Sequence, residues 1–369
     1  MIDIAVVGLG FGADFVPLYQ AHPDVGRVGI VDPDPGRLAA VAKRCQVADS
    51  YRSLEDLLDS RGWDAVHLLT PVALHADQVI KVLESGRHCA CAVPMATSLA
   101  DIDRIIAVQG RTGRTYMMME TAVCSREFFY ARSLLERGQL GQLSFFRGEH
   151  LQNLDGYPPY WLGFPPMHYV THALSPALAL ADARAESVRC LGSGLLTPQR
   201  RGLSGNTFGT ETALFTLRRR SPASPGAAEE ALAANITVSF FQLGRSYLEG
   251  FSVYGDAGAL EWPQLEGGPM KQFRMSGRTS GQRGRPVDVI DLHPPAVTGT
   301  LPAPLQPFTV SGGHGGSHPH LVHEFVRSLV EGRPPVVDHR AAARFTAPGI
   351  CAHSSAMSAG AEVAIPDYG

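Results

Sequence analysis

The feature that most restricts what this chain can become lies at its start, where the apolar run Ile2-Asp3-Ile4-Ala5-Val6-Val7 leads directly into Gly8-Leu9-Gly10-Phe11-Gly12-Ala13. A strand-like run ending in closely spaced glycines, with a helix behind it, is the fingerprint of a phosphate-cradling turn. Gly8 permits the tight turn, Gly10 lets backbone approach a pyrophosphate, and Ala13 takes the close helix–strand packing position. The helix N-terminus then offers a favourable dipole to phosphate. The next strand-like run, Arg27 to Val31, ends at Asp32, a little beyond the roughly 20-residue spacing at which an acid accepts from the adenosine ribose hydroxyls. A carboxylate there repels a 2′-phosphate, so the pattern predicts NAD rather than NADP. Gly8, Gly10, Phe11, Gly12, Asp32 and Arg37 are the candidate cofactor contacts of this region; the rival reading is a plain tight turn with Asp32 in a surface Asp-Pro-Asp-Pro turn.

Up to about residue 120, short β-rich runs alternate with helical patterns, which predicts βαβ units and a parallel sheet. We therefore expect an α/β chain: a doubly wound Rossmann domain over 1–122, then an α+β domain over 123–369 with a mostly antiparallel, one-face-open sheet. Its strands are expected near 143–151, 186–192, 210–217, 235–241 and 247–254, with a helix around 126–137. Arg218 to Ala231 reads as a solvated hairpin tip and 267–316, rich in Gly, Pro and Ser, as a long functional loop. Two helices, near 319–331 and 340–358, close the chain.

A length of 369 residues favours two domains, and a net charge of -3 with 18% charged residues gives nucleic acid nothing to bind. No apolar run reaches the roughly 18 residues of a membrane span, and no leader pattern precedes Ile2. These properties predict a cytoplasmic protein with no membrane partner. The six scattered cysteines read as reduced core thiols.

Three further signatures are Thr70-Pro71 followed by His75, the segment Gly86-Arg-His-Cys-Ala-Cys-Ala-Val-Pro-Met-Ala96, and Glu120 after a strand. With the glycine turn they resemble the Gfo/Idh/MocA oxidoreductases over nearly the whole chain. The resemblance implies that Thr70, Pro71, His75, Val93, Pro94 and Glu120 join the cofactor site, the Thr-Pro turn lying near the nicotinamide ribose. Where the family reads Glu-Lys-Pro, this chain reads Ala92-Val93-Pro94, and Val93 cannot move a proton.

In the segment Met167-His168-Tyr169-Val170-Thr171-His172, His172 matches the family's catalytic histidine, while His168 stands where many relatives carry Asp. The pattern Tyr-x-Thr-His and the missing lysine resemble the NAD-dependent glycosidases of the superfamily, of the α-N-acetylgalactosaminidase type, whose active-site tyrosine Tyr169 would match. Residues three apart share a helix face, so Tyr169 and His172 can act together as acid and base. Gly312-Gly-His314-Gly-Gly-Ser-His318 is similar to a glycosidase substrate loop. The alternatives are a metal site built from these histidines with Glu324, or a helix N-terminus with partly solvated histidines; we expect no metal. His168, His314, His318, Tyr160 and Trp161 are the candidate substrate contacts, the aromatics as a sugar-stacking wall or as core.

The function expected is NAD-dependent oxidation of a ring hydroxyl of a sugar, glycoside or polyol. The alternatives are a redox-neutral glycosidase or epimerase, and a non-catalytic NAD- or sugar-binding protein. The resemblance also implies a homo-oligomer, a dimer or tetramer.

Overall fold

The computed structural model describes residues 1–220, 231–265, 267–277, 283–311 and 313–369. The chain divides into two compact units, one built from 1–125, 296–343 and 368–369, the other from 126–295 and 344–367. The tip residues 221–230 and Gly312 lie outside the described residues.

The first unit holds a six-stranded parallel sheet: β1 (Ile2–Val7), β2 (Val25–Val31), β3 (Ser50–Tyr51), β4 (Ala65–Leu68), β5 (His88–Cys91) and β6 (Tyr116–Met118), in the order β3-β2-β1-β4-β5-β6. That is the doubly wound dinucleotide-binding order. Ile4 to Val7 are buried on both faces of β1, as a central parallel strand covered by helices requires. The crossover helices carry their own start and stop signals. Asp34 caps Pro35–Cys45 by accepting from the N–H groups of Gly36 and Arg37, and Ser98 caps Leu99–Thr112, which stops at Gly113 in the left-handed region.

The segment 296–343 corrects the expected boundary, because it belongs with the first unit and not the second. Leu301, Leu305, Leu321, Val322, Phe325 and Val326 share one core with Ile4, Val6, Phe15 and Tyr19. The helix His318–Glu331 buries a continuous apolar face there. Each such side chain contributes roughly 1.5–3 kcal/mol on burial, so the segment is integral to that unit.

The second unit is a nine-stranded sheet: β7 (Leu143–Leu151), β8 (Ala183–Leu195), β9 (Phe208–Arg219), β10 (Ala231–Ser239), β11 (Leu248–Gly255), β12 (Gly258–Glu261), β13 (Met270–Met275), β14 (Val287–Leu292) and β15 (Val363–Ala364), in the order β14-β13-β12-β11-β7-β10-β9-β8-β15. Every pairing is antiparallel except β7 with β10. The expected loop over 267–316 is thus in part a hairpin, β13–β14, followed by short helical turns. Its strands alternate weakly and are largely solvated, so no apolar period announced them. The helix Thr171–Leu180 packs on the inner face of the sheet, so closely over β7 that a Cβ at Gly148 would lie 2.1 Å from the Ala173 carbonyl oxygen. That contact sets the depth of the helix and so of its first turn. Among the described residues, no helix is long and apolar enough to cross a membrane.

Candidate functional site

In the first unit the chain leaves β1 through Gly8, at φ +89°, where an added Cβ would lie 2.5 Å from the Leu69 carbonyl oxygen. Only glycine fits that turn. A helical turn, Leu9–Gly12, follows at once. Gly10 is exposed, and a Cβ placed on it would meet nothing within 4 Å, which leaves backbone open to a ligand. Gly12 faces inward, its Cβ position 3.1 Å from side-chain atoms of Val6 and Leu69. It therefore takes the tight helix–strand packing role expected of Ala13.

Asp32 ends β2 almost wholly buried. Its Oδ2 accepts the Leu9 N–H at 2.8 Å, its Oδ1 accepts the Asp34 N–H at 2.9 Å, and the Arg37 guanidinium lies 3.2 Å away. One carboxylate thus ties the glycine turn to the end of β2, with Arg37 beside it. These residues fit a dinucleotide: an open glycine backbone at the turn, and a carboxylate at the ribose-reading position.

Thr70 donates its hydroxyl to Gln78 Oε1 at 2.5 Å. His75 is buried, its ring nitrogens 2.8 and 2.9 Å from the carbonyl oxygens of Pro94 and Thr70. Desolvation holds the His75 pKa down while the two carbonyls act in the opposite sense. The imidazole clasps the Thr70-Pro71 turn to Pro94, so it shapes this turn from beneath. Val93 is buried, and the buried Glu120 accepts the Ala122 N–H at 2.8 Å.

His314 and His318, expected as substrate contacts, stand beside the glycine turn. Their rings lie 5.9 and 5.5 Å from that of Phe11, and His318 packs 4.5 Å from Phe15. Phe15 in turn meets His67 at 4.8 Å, whose pKa is lowered to about 3, first by burial and then by His318. Among the described residues, no group of three or more His, Cys, Asp or Glu is gathered to hold a metal.

The second unit holds Tyr169 and His172. They do not share one helix: Pro166–Tyr169 is a short 3-10 turn and His172 is in the first turn of Thr171–Leu180. Their rings nevertheless approach to 5.2 Å. Trp161, Phe164 and Phe240 surround Tyr169 at 5.4, 6.2 and 5.8 Å, so Trp161 belongs to this cluster, whereas Tyr160 is exposed beside it. Trp161 therefore packs as part of this aromatic cluster.

His168 faces away from a carboxylate role. Its ring meets that of His353 at 5.1 Å, and desolvation, followed by His353, lowers its pKa to about 3. His353 Nδ1 donates to Glu211 Oε1 at 2.6 Å, while Glu211 Oε2 accepts the Met167 N–H at 2.7 Å. Glu211 is fully buried and anchors the chain just ahead of Tyr169. An unpaired carboxylate there would cost several kcal/mol.

Sequence reasoning missed four members of this cluster: His150, Glu211, Tyr247 and Glu249. His150 lies 5.6 Å from Tyr169, 5.5 Å from His172 and 5.9 Å from Tyr247. Glu249 Oε1 is 3.7 Å from His172 Nδ1, and the Tyr247 hydroxyl donates to Glu249 Oε2. A signal was present. Strand alternation places Glu211 and His150 among the inward apolar positions of β9 and β7, and a charged or imidazole side chain on a core face marks a site.

Comparison with known proteins bears on this arrangement. Residues 2–120 match the model of the Gfo/Idh/MocA oxidoreductase family, described as an NAD-binding Rossmann fold. A glycosyl hydrolase family 109 protein of Bacteroides fragilis is 29% identical over 203 residues, covering 49% of this chain and 43% of that protein. The 2,7-anhydro-N-acetylneuraminate hydratase of Escherichia coli is 30% identical over 144 residues, 39% of this chain and 38% of its own. The matched stretch thus spans less than half of either curated relative. A levoglucosan dehydrogenase solved with NADH and levoglucosan superposes with a TM-score of 0.78 at 19% identity, over 99% of this chain and 100% of that one, a likeness of fold. Residues 2–120, with the glycine turn and Asp32 built as that fold requires, thus match the NAD-binding Rossmann domain of the Gfo/Idh/MocA oxidoreductase family.

Proposed function

We propose that this protein is an NAD-dependent enzyme acting on a ring hydroxyl of a sugar, glycoside or polyol, with Tyr169 and His172 as its acid–base groups. The observation that carries this reading is the meeting of those two rings at 5.2 Å, with His172 and the neighbouring His150 buried. Bound NAD supplies hydride acceptance at the carbinol carbon. Gly8, Gly10, Phe11, Asp32 and Arg37 would hold its adenosine and pyrophosphate end, and Thr70, Pro71, Pro94 and Glu120 its nicotinamide end. His172 takes the hydroxyl proton as the carbon is oxidised, and Tyr169 orients that hydroxyl; such transfer by a positioned side chain contributes roughly 10²–10⁴-fold. Trp161 offers an aromatic face to the ring, and the exposed Tyr160 beside it is a further substrate contact of the proposal.

A second reading is favoured by Val93 at the family's lysine position and by the glycosidase and hydratase relatives. Oxidation acidifies the C–H beside the new ketone. Tyr169, acting as base there, would expel the glycosidic oxygen with its electron pair, water would add to the alkene, and hydride return would leave no net redox change. A homo-oligomer accompanies either reading, supported by Leu191, Leu214 and Phe145 exposed on the sheet face away from the helix. The free thiols of Cys45, Cys89, Cys91, Cys190 and Cys351 support a cytoplasmic location.

The test is absorbance and mass analysis of undialysed protein for retained NAD(H), then incubation with a panel of nitrophenyl glycosides and free polyols, with and without added NAD⁺. Turnover that needs NAD⁺ and yields NADH supports the dehydrogenase. Turnover with retained cofactor and no net NADH supports the redox-neutral reading. His172→Gln should lower turnover at least about 100-fold; an unchanged rate would refute the acid–base assignment.

A further inference from the structure

We infer that Glu249 is the carboxylate partner of His172, a positioning residue that fixes the imidazole and holds its protonated form. This rests on the reading of His172 as the acid–base group.

The argument begins with strand register. Glu211 pairs with Val238, Val238 with His150, and His150 with Glu249, so the four residues form one row across β9, β10, β7 and β11. Residues directly opposite share a sheet face. The neighbouring rows on that face read Ala213, Ile236, Gly148, Phe251 and Phe215, Ala234, Phe146, Val253. An apolar face thus gives way, in the one row beneath the start of the helix Thr171–Leu180, to two carboxylates and an imidazole. Glu211 is accounted for by His353 and the Met167 N–H.

Glu249 has a different neighbour. The Tyr247 hydroxyl donates to its Oε2, leaving Oε1 to face His172 Nδ1 at 3.7 Å, with both side chains less than a tenth exposed. That separation exceeds a hydrogen bond but lies within ion-pair reach, and such contacts tighten when substrate is bound. The titratable rings facing His172 are His150 and Tyr169, at 5.5 and 5.2 Å. The one is an imidazole and the other a phenol, and neither is a carboxylate. The helix dipole disfavours a cation in the first turn, so an imidazolium at position 172 needs a carboxylate, and position 168 carries a neutral histidine instead. With Nδ1 directed at Glu249, Nε2 is the nitrogen that exchanges a proton with substrate, and the developing imidazolium is stabilised as it forms.

The experiment uses full-length protein labelled at histidine Cε1, with the His172 resonance identified by its loss in His172→Gln. In Glu249→Gln, which keeps the shape and the Tyr247 contact, the His172 titration should move down by about one pH unit. Glu249→Asp should restore most of it. The acidic limb of kcat/KM, measured on whichever nitrophenyl glycoside is turned over, should move in the same direction, with kcat reduced roughly tenfold or more and KM little changed. Coincident His172 titrations in wild type and Glu249→Gln would overturn the inference. Should Glu249→Gln not fold, Glu249→Met removes the charge at similar volume, and an unmoved His172 titration there overturns it equally. The resonance needs no substrate, so it separates the two readings. Full turnover in His172→Gln defeats the acid–base assignment, whereas an inactive His172→Gln with an unmoved titration defeats the role of Glu249 alone.

Discussion

Gly8 and Gly10 stand two residues apart in one turn, yet adding a methyl group to each should have opposite consequences. At Gly8 the backbone sits at φ +89° and a Cβ would lie 2.5 Å from the Leu69 carbonyl oxygen and 2.8 Å from its carbon. Both are backbone atoms, so the strand end itself must move. The unfavourable backbone conformation costs about 1–3 kcal/mol and the overlap about 1–3 kcal/mol more. For a folding unit of this size each kcal/mol moves Tm by roughly 2–4 °C, so Gly8→Ala should lower the melting temperature by roughly 5–20 °C. At Gly10, in a helical turn with nothing within 4 Å of the added Cβ, Ala should leave stability unchanged or raise it by up to about 1 kcal/mol. The methyl group would occupy the space a pyrophosphate needs against the backbone. NAD affinity should therefore fall at least about tenfold, or 1.4 kcal/mol. Differential scanning calorimetry and titration calorimetry of NAD into cofactor-stripped protein read the two effects separately. A Gly8→Ala protein that melts with the wild type, or a Gly10→Ala protein that binds NAD as tightly, would refute this account of the turn.

Asp32→Ser should weaken NAD binding about tenfold and improve NADP binding, because Arg37, now 3.2 Å from the carboxylate, would be released toward a 2′-phosphate; unchanged preference in a paired binding measurement would rule this out. Acid stability follows from His22, His67, His168 and His320, whose pKa values fall to about 4, 3, 3 and 4, chiefly through desolvation. A histidine of ordinary pKa 6.5 in the unfolded chain and a lower one in the fold makes unfolding take up a proton. Stability is therefore full above that value and declines as pH falls from 6.5 toward the folded values, by roughly 1.4 kcal/mol per pH unit per histidine. Urea unfolding across that window should show the decline, and a flat profile would contradict the burial of these rings.

Much of the first unit was legible because its determinants are local. A glycine turn behind β1, Asp32 at the end of β2 and side-chain caps such as Asp34 and Ser98 act within a few residues of where they are written. The strand at 143–151 and the closing helices were legible for the same reason, their apolar period being intrinsic to the segment. The apolar period of His318–Glu331 shows that one face of the helix must be buried but not against what. Its assignment to the core of Ile4 and Val6 is a long-range choice among surfaces of similar hydrophobicity.

The same division runs through the candidate site. Tyr169 and His172 are three apart and so meet whatever the rest of the chain does, even with a 3-10 turn in place of one helix. Their carboxylate surroundings come from strands far along the chain: Glu211 and Glu249 fall into one row with His150 only through pairings whose register a one-residue slip would reverse. The sequence by itself determined the glycine turn, the doubly wound start and the approach of Tyr169 to His172, because covalent neighbours enforce them. Which buried carboxylate faces which imidazole was decided by the tertiary structure alone, since hydrogen-bonded register between distant strands brings those groups together and no local pattern records it.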